Sequence, residues 1–208
     1  MEQKKERVKK IIAVLKKTFP TTKIALTYSS PWELLVAVVL SAQCRDVLVN
    51  KVTDKLFKKY PTLNDYLNAD PKEFEADLKS IIFYRNKAKN ILAAAKIVKE
   101  KYNGKIPSTM EELLELPGVA RKTANVLLGN IYHINVGIVV DTHVRRLSQL
   151  LGLTTNEDPV KIEKDLMEIV PKDEWFEFSY RLIDYGRKYC PARPHDHANC
   201  PLREFYVN

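Results

Sequence analysis

Apolar residues recur every three or four positions along almost the whole chain, and this helical spacing constrains the fold more than any other feature. At the N-terminus, for example, one face carries Val8, Ile11, Ile12, Leu15 and Phe19, and lysines cover the other. No segment shows the sustained alternation of apolar and polar residues expected of a half-buried strand. The pattern predicts an all-α protein of about ten mostly short helices.

Helix starts are indicated by a small polar residue that is followed by proline or, three positions later, by glutamate. This pattern occurs at Ser30, Asp70, Ser108 and Asp158. We therefore expect a helix to begin directly after each of these four residues.

The net charge of +8 predicts a polyanionic partner, either a nucleic acid or an anionic membrane surface. The longest apolar run, at 34–40, is far shorter than the roughly 20 residues that cross a bilayer. The charged N-terminus lacks the apolar stretch of a signal peptide, and three cysteines provide no disulfide framework. We expect a cytoplasmic protein, associated with the nucleoid in a prokaryote, with no membrane partner.

The stretch LPGVARKTA at 116–124 places a Pro-Gly turn between a short helix, TMEELLEL, and a longer helical pattern. Such a unit exposes backbone N–H groups at the start of its second helix, and these suit a phosphate without reading base sequence. Lys122 stands in the first turn of that helix, where the positive end of the helix dipole disfavours another cation. Taken alone, the segment also fits a plain helical hairpin with a solvated lysine.

Two other stretches place polar residues at the ends of apolar segments. In VVDTHVRRL at 139–147, Asp141 follows two valines, and it also fits a plain helix N-cap. In VLSAQCRD at 39–46, Gln43 follows a very apolar helix, and it also fits an incidental residue at a helix end. Neither stretch defines a function by itself.

Together, these stretches resemble the endonuclease III branch of the helix–hairpin–helix DNA glycosylases. LPGVARKTA is similar to the family's hairpin, VDTHV to its catalytic-aspartate loop and LSAQ to its duplex-penetrating loop. FYRNKAKNI at 83–91 resembles the segment that carries a second wedge. The order and spacing agree from about residue 8 to residue 190, so the resemblance covers most of the chain.

The resemblance implies a helix–hairpin–helix glycosylase fold with two helical domains. A six-helix barrel would span 24–135, with the hairpin motif at about 109–131. The second domain would combine 1–23 with 136–208. Double-stranded DNA would lie in the cleft between the domains, and the protein would act as a monomer.

The implied activity is base excision repair by a bifunctional DNA glycosylase and AP lyase that acts on damaged pyrimidines, expected to be oxidised ones. The target base must leave the stack, and Gln43 and Phe83 would fill the gap. Asp141 would stabilise the positive charge that develops on the sugar. Across the cleft, the neutral amine of Lys122 would attack C1′, form a Schiff base and allow strand cleavage by β-elimination.

A free lysine has a pKa near 10.4 and is almost wholly protonated at neutral pH. Burial and a positive helix terminus both favour a neutral amine. The sequence therefore predicts that Lys122 is buried, so that its unfavourable position serves the reaction. Two alternatives stay open: a glycosylase of the same fold acting on mismatched thymine, uracil or a damaged purine, and a non-catalytic hairpin module that binds DNA.

The resemblance also implies a set of DNA-contacting residues around these motifs. They are Gln43, Phe83, Arg85, Leu116, Gly118, Val119, Ala120, Arg121, Thr123, His143 and Arg145. Ala120 replaces a common second glycine, so its backbone must suit alanine, and Phe83 stands where an aliphatic wedge is frequent. Three further basic residues, Lys87, Lys89 and Arg146, are candidates for phosphate contacts.

The C-terminal stretch departs from the family, many members of which bind a [4Fe–4S] cluster through the spacing C-x6-C-x2-C-x5-C. Cys190 and Cys200 match the first and third ligand positions, but His197 and Tyr206 occupy the second and fourth. Such a cluster is not expected, and no cofactor is predicted. Zinc is the alternative, because His195 completes a set of two sulfurs and two nitrogens, although the spacing matches no zinc finger or ribbon.

Overall fold

The computed structural model describes residues 2–207, which form eleven α-helices and three short 3₁₀ turns without a β-strand. The helices are α1 (Glu2–Thr18), α2 (Pro31–Ser41), α3 (Asp46–Lys59), α4 (Leu63–Asn68), α5 (Pro71–Asp77), α6 (Tyr84–Tyr102), α7 (Met110–Leu114), α8 (Arg121–Tyr132), α9 (Thr142–Leu150), α10 (Pro159–Ile169) and α11 (Trp175–Lys188). The 3₁₀ turns are Lys172–Glu174, His197–Asn199 and Arg203–Phe205. The all-α prediction is confirmed. None of the described helices is long and apolar enough to cross a membrane.

The chain divides into two compact units. The terminal unit joins Met1–Lys23 to Asn135–Asn208, and the central unit spans Ile24–Ile134. The outer ends of the predicted second domain, residues 1 and 208, lie outside the described residues. The central unit holds seven helices rather than the six implied by the resemblance, because Asp70 and the proline after it start α5 separately from α4.

The core of the central unit is built around α2, in which every residue from Trp32 to Leu40 is buried. The Ser30 hydroxyl accepts a hydrogen bond from the Glu33 N–H at 3.2 Å, which fixes the start of the helix. A helix that is apolar on all sides must be surrounded, and α2 packs against α3, α6 and α8. The end of α2 therefore sets the point at which the Gln43 segment leaves the core.

The helix starts predicted at Ser30, Asp70 and Asp158 are confirmed, since each side chain accepts a first-turn N–H. The start predicted after Ser108 is one residue early. Thr109 is the capping residue, its hydroxyl accepts the Glu112 N–H at 3.3 Å, and α7 begins at Met110. Both registers have a hydroxyl residue three positions before a glutamate, so the local pattern could not separate them.

In the terminal unit, α11 packs against α1 and α9. Gly186 of α11 permits the close approach of α9, because a Cβ at this position would lie only 2.9 Å from His143 Cδ2. The packing gives α9, and the aspartate that precedes it, a rigid support.

Candidate active site and nucleic-acid interface

The hairpin is formed by α7, a tight turn and α8. Leu116 and Val119 are buried, and the Val119 N–H donates to the Leu116 carbonyl at 3.0 Å, which closes the turn. Gly118 has φ +83, a left-handed conformation that favours glycine. A Cβ on Gly118 would also lie 3.1 Å from Asn90 Cβ of α6, so the turn packs directly on that helix.

The start of α8 has no side-chain cap. Ala120 is the N-cap residue, and its φ of −97 is a conformation that alanine adopts without strain, as the sequence required. Because the first N–H groups of a helix have no partner within the helix, a capping side chain usually binds one of them. An alanine cannot do so, and this helix start can donate to a phosphate instead.

Lys122 is the second residue of α8, and its side chain is exposed. The prediction that Lys122 is buried is therefore wrong for the protein without DNA. Lys122 remains in the first turn of α8, and its exposed position leaves the amine open to a substrate.

Gln43 and Phe83 share an unusual backbone conformation. Their φ values are +56 and +58, and both residues are exposed, Phe83 with 61% of its surface accessible. A left-handed conformation of a residue other than glycine is costly, by about 1–2 kcal/mol, and is kept only where the surroundings impose it. Ile82, next to Phe83, is 51% exposed, so two large apolar side chains project at this turn.

Lys87 connects these two segments. It lies on α6, four residues after Phe83, and its ammonium group donates to the carbonyls of Leu40 at 2.9 Å and Ala42 at 2.6 Å. Burial lowers the pKa of Lys87 from its ordinary value. An ammonium group that is buried against two carbonyls cannot contact a phosphate, so the phosphate role suggested for Lys87 is wrong.

The sequence did contain a signal for the buried role of Lys87. Lys87 stands at helical spacing from Ile91, Ala94 and Val98, all of which are buried on the inner face of α6. A lysine in an apolar stripe needs internal acceptors for its charge, and the open carbonyls at a helix C-terminus supply them.

Three of the motif segments thus meet in the central unit. The hairpin turn approaches the segments 39–46 and 83–91, because a Cβ on Gly118 would contact both Val39 and Asn90. Lys87 joins the same two segments through its hydrogen bonds. The resemblance assigned DNA contacts to all three, and the structure brings them together on one unit.

Asp141 is the N-cap of α9 in the terminal unit. Its Oδ1 accepts the Val144 N–H at 2.8 Å, and its Oδ2 lies 3.1 Å from His143 Nδ1. The side chain keeps 18% of its surface accessible. The plain capping role considered for Asp141 is therefore real, and it holds the carboxylate in a fixed direction with one oxygen turned toward an imidazole.

The remaining predicted contact residues differ in exposure. Thr123 and His143 are partly buried, whereas Arg85, Gly118, Ala120, Arg121 and Arg145 are exposed. Arg146 does not fit a phosphate contact as first suggested, because its guanidinium donates to the Cys190 carbonyl and lies 3.5 Å from Cys190 Sγ. The buried hairpin residues offer only their backbone to a ligand.

Near the C-terminus, two cysteines and two histidines converge. One ligand atom each from Cys190, His195, His197 and Cys200 lies within 4.8 Å of all the others. A [4Fe–4S] cluster needs four thiolates, and this set has two, so the residues do not fit that cluster. The hydroxyl of Tyr206, at the family's fourth ligand position, is hydrogen-bonded to the Tyr185 hydroxyl at 2.7 Å.

Comparison with known proteins identifies the class. Residues 36–172 match the model of the HhH-GPD superfamily base excision DNA repair proteins. Endonuclease III of Synechocystis is 49% identical over 202 residues, which cover 97% of this chain and 92% of that protein. Endonuclease III of Bacillus subtilis is 48% identical over 185 residues, covering 88% and 84%.

Solved structures agree with the sequence relatives. A non-covalent endonuclease III–DNA complex has a TM-score of 0.92 and 43% identity, with 97% of this chain and 94% of that chain covered. A thermostable thymine-DNA glycosylase has a TM-score of 0.84 at 20% identity, which shows the fold alone.

The chain belongs to the HhH-GPD superfamily of base excision DNA repair proteins. Within it, the chain is endonuclease III-like, as the sequence motifs predicted. The predicted fold and the predicted class of enzyme, a DNA glycosylase with AP lyase activity, are confirmed.

Proposed function

We propose that this chain excises oxidised pyrimidines from double-stranded DNA and then cleaves the abasic site, with Lys122 as the attacking amine and Asp141 as the stabilising carboxylate. The observation that carries the proposal is the position of Lys122: an exposed amine in the first turn of an uncapped helix, within a hairpin of this family. A hairpin that only held DNA would need the backbone N–H groups and not the amine.

In the proposed reaction, the neutral Lys122 amine attacks C1′ of the flipped nucleotide, and the base leaves with the electrons of the glycosidic bond. The sugar ring opens to a Schiff base on the lysine nitrogen. Loss of a proton from C2′ then expels the 3′ phosphate by β-elimination and cuts the strand. Contact with DNA would remove water from Lys122. This dehydration would take the place of the burial expected from the sequence.

Asp141 would act while positive charge develops on the sugar. Its Oδ1 is committed to the helix cap and its Oδ2 to His143, so both oxygens are held before substrate arrives. A fixed carboxylate needs no reorganisation when the charge appears, which is the main advantage of a preorganised site. We assign His143 the role of orienting this carboxylate.

The surface of the central unit would hold the duplex. The uncapped start of α8 would bind a backbone phosphate, with Arg121 and Thr123 beside it. Gln43 and Phe83, both projecting from left-handed positions, would occupy the gap left by the flipped nucleotide. Arg85 on this unit, and Arg145 on α9 of the terminal unit, would neutralise phosphates, which makes affinity for DNA fall steeply with salt.

Borohydride trapping tests the proposed amine. The wild-type protein should form a reduced, permanent crosslink with a duplex that carries an oxidised pyrimidine and with one that carries a plain abasic site. Lys122→Ala should form neither crosslink, whereas the control Lys96→Ala, an exposed lysine of α6, should form both. A crosslink retained by Lys122→Ala would contradict the assignment.

The base specificity is tested with the same assay on a panel of duplexes. Oxidised pyrimidines should react faster than mismatched thymine, uracil or a damaged purine in the same sequence. Faster release of one of the other bases would keep the enzyme class and change the substrate.

A further inference from the structure

The cysteines and histidines near the C-terminus have the composition of a single-ion site, and their ligand atoms lie close enough together to share one ion. We infer that Cys190, His195, His197 and Cys200 bind one structural zinc ion. The inference does not depend on the proposed function, because all four residues lie in the terminal unit, away from the sequence of the hairpin.

The distances agree with tetrahedral zinc. Ligands bound at about 2.3 Å for sulfur and about 2.0–2.1 Å for nitrogen put a sulfur and a nitrogen about 3.5 Å apart at tetrahedral angles. Cys200 Sγ lies 3.5 Å from His197 Nδ1 and 3.7 Å from His195 Nε2. The widest separation among the four ligand atoms is 4.8 Å, so this pair must close by roughly 1 Å around a common ion.

The backbone explains how a cramped sequence spacing gives this geometry. His197–Asn199 forms a 3₁₀ turn, and the Cys200 N–H donates to the His197 carbonyl at 2.9 Å. The turn brings His197 and Cys200 to the same side, three residues apart. Both cysteines are buried and both histidines are partly buried, so the ligand atoms face inward from a short loop.

The surrounding hydrogen bonds are those that hold metal ligands in place. A histidine that binds zinc usually donates its other ring N–H to a carbonyl, which fixes the tautomer and orients the ring. His195 Nδ1 lies 2.9 Å from the Arg193 carbonyl, so a neutral ring that donates this hydrogen bond would present the lone pair of Nε2 to an ion beside Cys200. Arg146 lies 3.5 Å from Cys190 Sγ and supplies an N–H to that sulfur.

The charges also balance. Zinc binds cysteine as a thiolate and histidine as a neutral imidazole, so this set offsets the double charge of the ion. In the thiol form, Cys200 Sγ donates to the Tyr189 carbonyl at 3.1 Å, and zinc would replace that proton.

Two iron-containing alternatives fit less well. The fourth position of a [4Fe–4S] site is taken by Tyr206, whose hydroxyl is hydrogen-bonded to Tyr185. In a Rieske [2Fe–2S] centre, two cysteines bind one iron and two histidines bind the other. Here both imidazole nitrogens lie within 3.7 Å of one sulfur, which is the spacing of ligands that share one ion.

The test is the metal content of the full chain, expressed in medium supplied with both zinc and iron. Elemental analysis should find one zinc per chain and no iron. Cys190→Ser and Cys200→Ser should lose the zinc, and the control Cys44→Ser, a cysteine of the central unit, should keep it. His197→Asn removes a partly buried ligand and should also lose zinc while the far-ultraviolet circular dichroism stays helical.

Cobalt provides a second readout that does not depend on activity. Cobalt added to the zinc-free protein should give the visible absorption of a tetrahedral site with thiolate ligands, and zinc should displace it. The inference is overturned by iron in place of zinc, by absence of bound zinc or cobalt in a folded protein, or by zinc retained in both Cys190→Ser and His197→Asn. Trapping on DNA by a metal-free but folded protein would leave the proposed reaction intact.

Discussion

The two helices that carry the proposed catalytic residues begin in opposite ways. At the start of α9, Asp141 uses its own carboxylate to accept a first-turn N–H. At the start of α8, Ala120 offers no such acceptor, and Lys122 follows in the first turn. One helix start is used to hold a carboxylate rigidly, and the other is left available to a ligand.

The same contrast extends through the central unit. The starts of α2, α5 and α7 are capped by side chains, and α4 begins with the Thr62 N–H donating to Asp65 at 2.7 Å. By contrast, α3, α6 and α8 have no side-chain cap, and each follows one of the segments to which we assign DNA contacts. The helices α3, α6 and α8 therefore share a start without a side-chain cap next to these segments.

The largest effect should come from separating the two roles of Asp141. Asp141→Asn keeps an oxygen that can cap α9 but removes the negative charge, so base excision should fall by about 10²–10³-fold while stability changes little. Asp141→Ala should lose the same activity and also about 1 kcal/mol of stability, because the cap is gone. Single-turnover base release and chemical unfolding measure the two effects. Equal stability losses in both variants would show that the cap requires the charge.

Lys87 should have the next largest effect. Lys87→Met leaves the carbonyls of Leu40 and Ala42 without their donor, which should lower the free energy of unfolding by about 1–3 kcal/mol and weaken the reaction through a displaced Gln43. Lys96→Met, a change of an exposed lysine on the same helix, is the matched control and should be nearly neutral.

The pH dependence of stability gives a further test of Lys87. Its pKa in the folded protein lies below the ordinary value of 10.5, so the unfolded chain binds the extra proton between the two values. Over that alkaline interval, the contribution of Lys87 to the free energy of unfolding rises with pH. The difference between wild type and Lys87→Met should therefore grow as the pH approaches 10.5, and a constant difference would argue against the buried charge.

The smallest predicted effect comes from giving α8 the side-chain cap that it lacks. Ala120→Ser gives α8 a capping hydroxyl, which should stabilise the protein by about 0.5–1 kcal/mol. The hydroxyl would accept a hydrogen bond from an N–H group that we assign to phosphate, so affinity for duplex DNA should fall severalfold. Ala25→Ser, a change of an exposed loop alanine in the same unit, is the control for the added hydroxyl. Unchanged affinity in the stabilised Ala120→Ser variant would place the phosphate elsewhere.

The sequence predicted the features that depend on local pattern. Helical spacing gave the all-α class, and a string such as LPGVARKTA identified both the hairpin and Lys122. Features that depend on what surrounds a residue were harder to predict. The exposure of Lys122 and the internal bonds of Arg146 are set by distant segments, and no local pattern reports them.

The cysteines and histidines near the C-terminus are a second case in which local pattern was not enough to predict the structure. Their spacing along the chain fits no familiar zinc motif, which is why the sequence favoured a loop without metal. The 3₁₀ turn at His197–Asn199 places His197 beside Cys200, and the fold brings Cys190 and His195 close to both. This backbone geometry cannot be read from the order of cysteines and histidines.

The left-handed conformations of Gln43 and Phe83 bear on how such a protein searches a genome. Both side chains already project from the surface without DNA, so the insertion proposed for them would require no reordering of the loops and little loss of entropy. In the wedge role proposed above, the two side chains would press on each base pair during sliding and enter only where stacking yields. The time spent at an intact pair would then be set by the DNA rather than by motions of the protein.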